Sequence, residues 1–325
     1  MLRINYSPLK KEAEEYWKWA EKNPPPSIST RWYQLNWWKI WAEMAKGGAG
    51  SEARAPLAHC GTVAPVYLAI LRYLRKIKPE KGMKLIEIGC GSGRGLSYIK
   101  TNFPELEVYG SDCCKGSIEY AQKIYGETGA IFKHIQTTKT QFPDESFDFI
   151  ISSHVIEHMP KYEGLRFMEE VYRLLKNKGY AFIGTPNREQ GQNLYIKNPD
   201  DSKKYRFNPS HEHEYTFSEL KELGEKIFPQ NTKIDILKNK VFNEIFNSSI
   251  NRIKGRISSF FWQIARDYFP KNLFDGIGTT GASINMKLHK ISYYDVLMNN
   301  SIEDEKTKDK EKADNFLLVS QKISR

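Results

Sequence analysis

Cysteine is scarce in this sequence. The 325 residues include four cysteines, and no two of them have the C-x-x-C spacing of a metal-binding motif. Neighbouring cysteines such as Cys113 and Cys114 rarely bridge each other, and Cys60 and Cys90 complete no evenly spaced framework. The sequence therefore excludes a disulfide scaffold and predicts four free thiols.

Long apolar runs are also missing. No stretch approaches the roughly 20 apolar residues that cross a bilayer, and residues 1–8 lack the apolar segment of a secretory signal. With 40% hydrophobic and 27% charged residues, the composition excludes a collagenous, coiled-coil or wholly disordered chain. We expect a cytoplasmic protein with one large domain, or one domain that carries sizeable insertions.

Acidic residues are fewer than basic ones, 39 against 49, which leaves a net charge of +10. Such an excess favours an anionic partner: nucleic acid, a membrane surface or a phosphorylated substrate. The basic residues are spread along the chain, so solubility alone is an equally good explanation.

Tryptophan, in contrast, is abundant near the start, where six of the seven lie before residue 42. The run Asn23-Pro24-Pro25-Pro26 breaks any helix, so residues 1–64 are interpreted as an aromatic-rich arm of short helices. Its rings are expected to pack onto the main domain, or alternatively to form a substrate wall. The glycine-rich residues 46–51 would let the arm act as a lid.

Segments of strand length and helix length alternate from residue 65 onward. A helix begins at Pro65, and later helices are predicted at 93–101, 117–125, 162–175 and 216–226. Strands are predicted at 84–88, 107–111, 130–135, 147–152, 179–184, 233–238 and 315–320. This alternation predicts an α/β fold with a doubly wound, mostly parallel, seven-stranded sheet, whose core covers residues 65–240.

Residues 241–300 interrupt the alternation as a helical insertion before the last strand, with a helical stretch predicted at 242–269. Within it, residues 251–272 carry five basic side chains against one acid, interleaved with aromatics. Such a segment is typical of contact with an anionic membrane or a lipid-linked acceptor, and a lid or dimer helix is the alternative. The nearly apolar-free residues 301–314 predict an exposed loop, which the final strand of 301–325 follows.

The most informative motif is a glycine-rich turn after the first core strand. Residues 87–93 have the pattern E-x-G-x-G-x-G, which lets the backbone approach a ligand closely at the start of a helix. The dinucleotide fingerprint G-x-G-x-x-G is absent, because the sixth position is Arg94 counted from Gly89 and Leu96 counted from Gly91. The spacing thus disfavours an NAD-linked oxidoreductase.

This turn resembles the cofactor-binding motif of class I S-adenosylmethionine-dependent methyltransferases. Asp112 closes the second strand, where the family uses an acid to hold both ribose hydroxyls. The segments 142–158 and 173–187 resemble the blocks around the fourth and fifth strands of the family. These motifs, in this order along the chain, imply a Rossmann-like methyltransferase fold, S-adenosylmethionine as the cofactor and methyl transfer as the activity.

The resemblance also implies a set of cofactor-binding residues. One departure is the region before the fourth strand, where the family often has an acid that pairs with the adenine amino group and this chain has Gln136 and Thr137. Either side chain still offers an acceptor oxygen. The predicted cofactor residues are Glu87, Gly89, Cys90, Gly91, Gly93, Asp112, Cys113, Gln136, Thr137, Ser153 and His154. Arg94, just after the turn, is expected to face solvent.

Three histidines are candidates for the catalytic base, because a hydroxyl acceptor needs a proton acceptor with a pKa near neutrality. His158 follows the fourth strand, and His211 and His213 precede a capped helix. His158 and His213 are favoured near the acceptor, and the choice of base among the three stays open. A structural role is the alternative for His158, and a solvated loop position is the alternative for His211. Convergence of Glu157 with these histidines would suit a metal ion, but H-x-H alone is weak, and no metal site is predicted.

The preferred acceptor is an oxygen on a small molecule, a sugar or glycan, or a lipid-linked compound. Nucleic-acid amines are disfavoured, because methyltransferases of that class often carry an Asn/Asp-Pro-Pro-aromatic motif and this chain has residues Ser153 to Ile156 there. The alternatives are N- or C-methylation of a small metabolite, and a non-catalytic S-adenosylmethionine-binding scaffold. The sequence does not indicate an oligomeric state.

Overall fold

The computed structural model describes residues 7–22, 63–187, 196–198, 201–206, 211–229, 231–239, 297–303, 306 and 313–323. No helix in these ranges has both the length and the apolar character that crossing a membrane demands. The predicted helical insertion at 241–300 lies outside the described residues except for its last four, and so do most of the aromatic arm and the whole basic segment 251–272.

The described strands form one large sheet and one small one. Nine strands build the large sheet in the order β1-β10-β9-β11-β6-β5-β2-β3-β4, and β7 and β8 pair separately. Their bounds are β1 Ser7–Pro8, β2 Lys84–Ile88, β3 Glu107–Asp112, β4 Ile131–His134, β5 Phe147–Ser153, β6 Leu175–Pro186, β7 Ile196–Asn198, β8 Asp201–Arg206, β9 Thr232–Asn239, β10 Asn300–Glu303 and β11 Asn315–Gln321.

Helices cover both faces of the large sheet. Their bounds are α1 Lys10–Lys22, α2 Ala64–Ile77, α3 Arg94–Asn102, α4 Lys115–Tyr125, α5 Lys161–Leu174 and α6 Phe217–Ile227. Buried residues of α1 to α4 belong to the core on one face, and those of α5 and α6 belong to the core on the other. Because side chains alternate along a strand, β2 supplies both cores, with Leu85 on the first face and Ile86 on the second.

The site is positioned by the order of the parallel strands. β2 pairs in parallel with β3 on one side and with β5 on the other. The chain runs outward through β3 and β4, then returns to build β5 and β6 on the opposite side of β2. Ligands of open α/β sheets bind at such a reversal, outside the carboxyl ends of the strands. Here that position lies between the ends of β2 and β5.

All seven predicted core strands are present, and the doubly wound, mostly parallel fold is confirmed. The last strand, β11, runs antiparallel between β6 and β9. The sheet extends beyond the prediction by β10 and β1, which pair antiparallel at the edge next to β9. Neither strand has an apolar run, since edge positions bury only a few side chains.

One sequence expectation is wrong in part. Residues 301–314 do not form an exposed loop throughout, because Ser301 to Glu303 belong to β10 and Ile302 is fully buried. Asp314 is also buried, where its carboxylate accepts the backbone N–H of Asn239. The polar composition gave no sign of this strand, because an edge strand needs only one inward-facing apolar residue, here Ile302.

The described part of the aromatic arm is docked on the main domain. Glu12 of α1 pairs with Arg72 of α2 at 2.7 Å. The ring of Trp19 lies 5.0 Å from the guanidinium of Arg94, which is 5% exposed. Arg94 therefore does not face solvent, because the arm covers it and supplies a cation–π contact.

The capped start of α6 gives a stability prediction. The Thr216 hydroxyl accepts the backbone N–H of Glu219, and the Glu219 carboxylate accepts the backbone N–H of Thr216. Thr216→Ala should lower the free energy of unfolding by about 1 kcal/mol, because it leaves a helix N–H without its cap. Thr216→Ser keeps the hydroxyl and should remain close to the wild type in urea denaturation. Equal losses in both variants would contradict this account.

Candidate functional site

The glycine turn at the end of β2 adopts backbone conformations that favour glycine. Gly89, Gly91 and Gly93 have φ angles of +79°, +52° and +78°, in the left-handed region that side chains with a Cβ rarely enter. The backbone N–H groups of Gly89 and Cys90 both donate to the Ser111 carbonyl of β3, at 2.7 and 2.9 Å. The turn is thus held against the end of the neighbouring strand, and α3 begins directly after it.

Close packing also restricts two of these positions to glycine. A Cβ on Gly89 would lie 2.3 Å from a methyl carbon of Val155, and one on Gly93 would lie 2.8 Å from both Ala121 and Phe132. The first contact joins the turn after β2 to the segment after β5. The two strand ends that flank the predicted crevice therefore touch each other at Gly89.

Asp112 links the turn to the end of β3. One carboxylate oxygen accepts the N–H of Gly91 at 2.9 Å, and the other accepts the N–H of Cys114 at 2.8 Å. Burial raises the pKa of Asp112, and these two hydrogen bonds oppose that shift. Each oxygen of an ionised carboxylate has a second lone pair, so the side chain retains acceptor capacity for a ligand while it shapes the turn.

Glu87 supports the turn from inside the protein. It is fully buried, and one carboxylate oxygen accepts the hydroxyl proton of Tyr67 from α2. The Tyr67 ring fills the space in front of Gly95, where a Cβ would lie 2.0 Å from the ring. Glu87 therefore lies within the protein rather than on the crevice wall. Tyr67 was missed from the sequence, because it lies 20 residues before its partner.

The other predicted cofactor residues lie around the same strand ends. Burial raises the pKa of Cys90, so its thiol is protonated and packs as an apolar group. Cys113 and Gln136 are exposed, Thr137 is half-buried, and all three follow β3 or β4. These positions are open enough for contact with a ligand, but their role stays a prediction.

Ser153 is the last residue of β5 and His154 follows it, and each has an unusual feature. The Ser153 hydroxyl is buried and has no hydrogen-bond partner in the part of the chain that the structure describes. His154 has a φ of +57°, and its N–H donates to the Gly184 carbonyl at 2.9 Å. Unsatisfied buried groups and left-handed backbone at non-glycine residues are both concentrated at functional sites.

A buried carboxylate lies directly beyond this strand end. Glu157 is fully buried, and its Oε1 lies 3.2 Å from Nδ1 of His154 while its Oε2 accepts the Thr185 hydroxyl at 3.2 Å. Burial disfavours ionisation, but the close contact with His154 and the charges of His211 and His158 hold the pKa of Glu157 at about 2. Glu157 is therefore ionised under physiological conditions.

The histidine loop, residues 211–216, is tied to the same glutamate. The Glu157 carbonyl accepts the backbone N–H groups of Glu212 and His213, at 2.8 and 3.1 Å. The His211 ring then packs edge-on to His158, with ring centroids 4.8 Å apart. Nδ1 of His211 lies 2.5 Å from Oε1 of Glu214. Carboxylates hold histidine in one tautomer in this way.

The structure thus brings together two of the three predicted catalytic histidines. His213 lies apart, with Nε2 3.8 Å from Glu219 and its ring edge-on to Tyr215. Two partners of the cluster, Thr185 and Glu214, were not predicted. Glu214 could have been predicted, because it lies only three residues after His211. Thr185 could not, because it lies 28 residues after Glu157.

Comparison with known proteins agrees with this geometry. Residues 86–183 match the family described as Methyltransferase domain. This range begins in β2, before the glycine turn, and ends in β6, so it covers the glycine turn, Asp112, Glu157 and His158. It covers less than a third of the chain.

Curated relatives match the chain over part of their length. A fatty-acid O-methyltransferase of Mycolicibacterium smegmatis is 29% identical over 108 residues, which cover 33% of this chain and 38% of that protein. A phosphoethanolamine N-methyltransferase of Plasmodium falciparum is 27% identical over 116 residues, which cover 35% and 43%. The chain therefore spans less than half of the length of these relatives. Together with the domain match, they indicate that residues 86–183 form a methyltransferase domain.

A solved structure shows the same fold. An S-adenosylmethionine-dependent methyltransferase of Thermotoga maritima superposes with a TM-score of 0.50 at 18% identity, covering 88% of this chain and 99% of that one. Identity at this level supports the architecture and no finer statement.

The residues at the crevice fit S-adenosylmethionine. In the cradle formed by Gly89 and Gly93, the side chains of Val155, Ala121 and Phe132 fill the space of a Cβ, and the turn presents its backbone at the start of α3, where N–H groups can bind a ligand. The carboxylate of Asp112 suits a vicinal diol, and the buried Ser153 hydroxyl has no protein partner among the described residues. These are the donor and acceptor types that the ribose and the amino-acid part of this cofactor require.

The contact between Gly89 and Val155 can be tested with a matched pair of variants. Gly82 has a φ of +84°, close to that of Gly89, but a Cβ there would meet nothing within 4 Å. Gly82→Ala should cost roughly 1–2 kcal/mol of stability from the backbone alone. Gly89→Ala should cost clearly more in urea denaturation, because the new methyl group also collides with Val155. Similar losses in the two variants would show that the collision is absent.

Proposed function

We propose that this chain transfers the methyl group of S-adenosylmethionine to an oxygen of a small or lipid-like acceptor. The observation that carries the proposal is the contact between Gly89 and Val155, which places the cofactor cradle beside the histidines that follow β5. The domain match over residues 86–183 supports the cofactor and the class of reaction.

The protein residues have separate tasks in this reaction. S-adenosylmethionine supplies an electrophilic methyl group on a sulfonium centre. The glycine turn and Asp112 hold the cofactor, and the fold aligns the acceptor with that group and excludes water. The histidines beyond β5 handle the proton that a hydroxyl acceptor must lose.

An oxygen acceptor is favoured over an amine by the residues at the end of β5. His154, His158 and His211 lie with Glu157 at this strand end, whereas no Asn/Asp-Pro-Pro-aromatic motif follows the strand. Among the relatives, the fatty-acid O-methyltransferase acts at oxygen and the phosphoethanolamine N-methyltransferase acts at nitrogen. Methyl transfer to a panel of hydroxyl, carboxyl and amine compounds would decide between oxygen and nitrogen acceptors. Turnover confined to amines would contradict the proposal.

Residues 251–272 are the basis of two further predictions, one about the kind of acceptor and one about where the protein is located. Contact with an anionic membrane surface would bring a lipid-linked or glycan acceptor to the site, and the basic aromatic composition of this segment is the observation that favours it. A localisation at the inner face of the membrane follows only if that contact exists.

Asp112 should contribute strongly to cofactor affinity. Asp112→Asn removes the charge and one acceptor oxygen, so calorimetric titration should show at least tenfold weaker binding of S-adenosylmethionine, as expected for hydrogen bonds to a charged group worth about 1.5–3 kcal/mol. Asp144→Asn changes an exposed carboxylate and serves as the control. Unchanged affinity in a folded Asp112→Asn protein would refute the assigned role.

His158 should affect turnover rather than cofactor binding. His158→Ala is expected to lower kcat by about 100-fold or more, the usual contribution of a positioned proton-transfer group. Affinity for S-adenosylmethionine should stay within about twofold of the wild type. A variant with full activity would exclude His158 from the acceptor side of the site.

A further inference from the structure

Glu157, His158 and His211 form a compact set of metal-ligand atoms. One atom from each side chain lies within 4.8 Å of the other two. Glu157 and His211 are buried, and His158 is half-buried. Tetrahedral bonds of roughly 2.0–2.2 Å place two ligands of one ion about 3.3–3.6 Å apart, so these side chains would move together by up to about 1 Å when an ion binds.

One of these atoms lacks a hydrogen bond. Oε1 of Glu157 is buried and has no hydrogen-bond partner in the described ranges, although Nδ1 of His154 lies 3.2 Å away. The other oxygen accepts the Thr185 hydroxyl. A buried carboxylate oxygen needs a donor or a cation, and a bound ion would satisfy it.

The second independent observation is the support of His211. Its Nδ1 contacts the carboxylate of Glu214, which is itself buried. With the proton on Nδ1, where the carboxylate can accept it, the lone pair of the His211 ring lies on Nε2. Carboxylate–histidine pairs of this kind orient the imidazoles that ligate metals in proteins. Thr185 plays the corresponding part for Glu157, so two of the three ligands are positioned by neighbouring side chains.

The ligand types select a class of ion. Two imidazoles and one carboxylate suit zinc and other first-row divalent metals, and three protein ligands leave a coordination position for an exchangeable oxygen. Magnesium and calcium prefer oxygen ligands throughout. We propose that Glu157, His158 and His211 bind a divalent transition-metal ion, whose open position takes an oxygen of the methyl acceptor. The role of the acceptor oxygen rests on the proposed function, whereas the metal site itself does not.

A metal ion at this cluster would both position the acceptor hydroxyl and promote the loss of its proton. A hydroxyl bound to such an ion would be fixed in position and would lose its proton more readily. His158 and His211 could not accept that proton while their lone pairs bind the ion, so it would pass to water. The cluster lies directly after β5, and Val155 of the same segment contacts Gly89 of the cofactor cradle. The metal would therefore hold the acceptor next to the cradle.

Metal binding can be measured without methyl transfer. The full chain, stripped with chelator, is titrated with Co²⁺ and followed by its visible absorption, and bound Zn²⁺ is counted by elemental analysis after gel filtration. We expect one ion per chain, unaffected by excess Mg²⁺. Glu157→Gln and His211→Asn should each weaken Co²⁺ binding at least tenfold. Glu214→Gln should weaken it about 10- to 100-fold, as is typical of residues that orient a ligand.

His134→Asn is the matched control, because His134 is an exposed histidine at the end of β4 that contacts the Cys113 carbonyl. It should bind Co²⁺ as the wild type does. The proposal is overturned if the folded wild type gives no Co²⁺ absorption, if Glu157→Gln binds normally, or if His134→Asn loses binding equally. Because the wild-type titration needs no variant, misfolding of a variant leaves that outcome decisive.

Calorimetry with S-adenosylmethionine separates the two proposals. A chain that binds Co²⁺ at this cluster but neither binds the cofactor nor transfers methyl groups would retain the metal site and refute the proposed function. Methyl transfer that persists unchanged after Co²⁺ and Zn²⁺ are shown not to bind would refute the metal site alone.

Discussion

The site depends on one contact between two strand ends. β2 and β5 are parallel neighbours, so the segments that leave their carboxyl ends emerge side by side. They touch where Val155 lies against Gly89, a position with a left-handed backbone and no room for a Cβ. The contact sets how the glycine turn faces the segment from His154 to His158. A larger residue at position 89 would push the glycine turn away from Val155 and so from the histidines that flank it.

Glu157 organises the other half of the site. Its side chain contacts His154 and Thr185, and its carbonyl holds the histidine loop through two backbone N–H groups. A buried charge is stable only when partners surround it, and removal of one partner from such a group is strongly destabilising. The same requirement that keeps Glu157 ionised thus assembles the histidines around it.

The N-terminal helix connects this site to the rest of the first core. α1 pairs with α2 through Glu12 and Arg72, and the ring of Tyr16 packs edge-on to Tyr98 of α3. Trp19 covers Arg94, the first residue after the glycine turn. Because α3 begins at that turn, the described part of the aromatic arm packs against the helix that follows the glycine turn.

The sequence by itself determined the order of the core strands along the chain, the glycine turn and the acid at Asp112. These features depend on local patterns: apolar runs of strand length, glycine spacing, and a capping box at Thr216. Tertiary structure alone decided the contacts of Glu157 with Thr185 and with the histidine loop, the support of Glu87 by Tyr67, the burial of Arg94, and the pairing of β10 and β1 at the sheet edge. Each of these is a contact between residues distant in sequence, and an ionisable side chain carries no local mark of the partner that will make its burial stable.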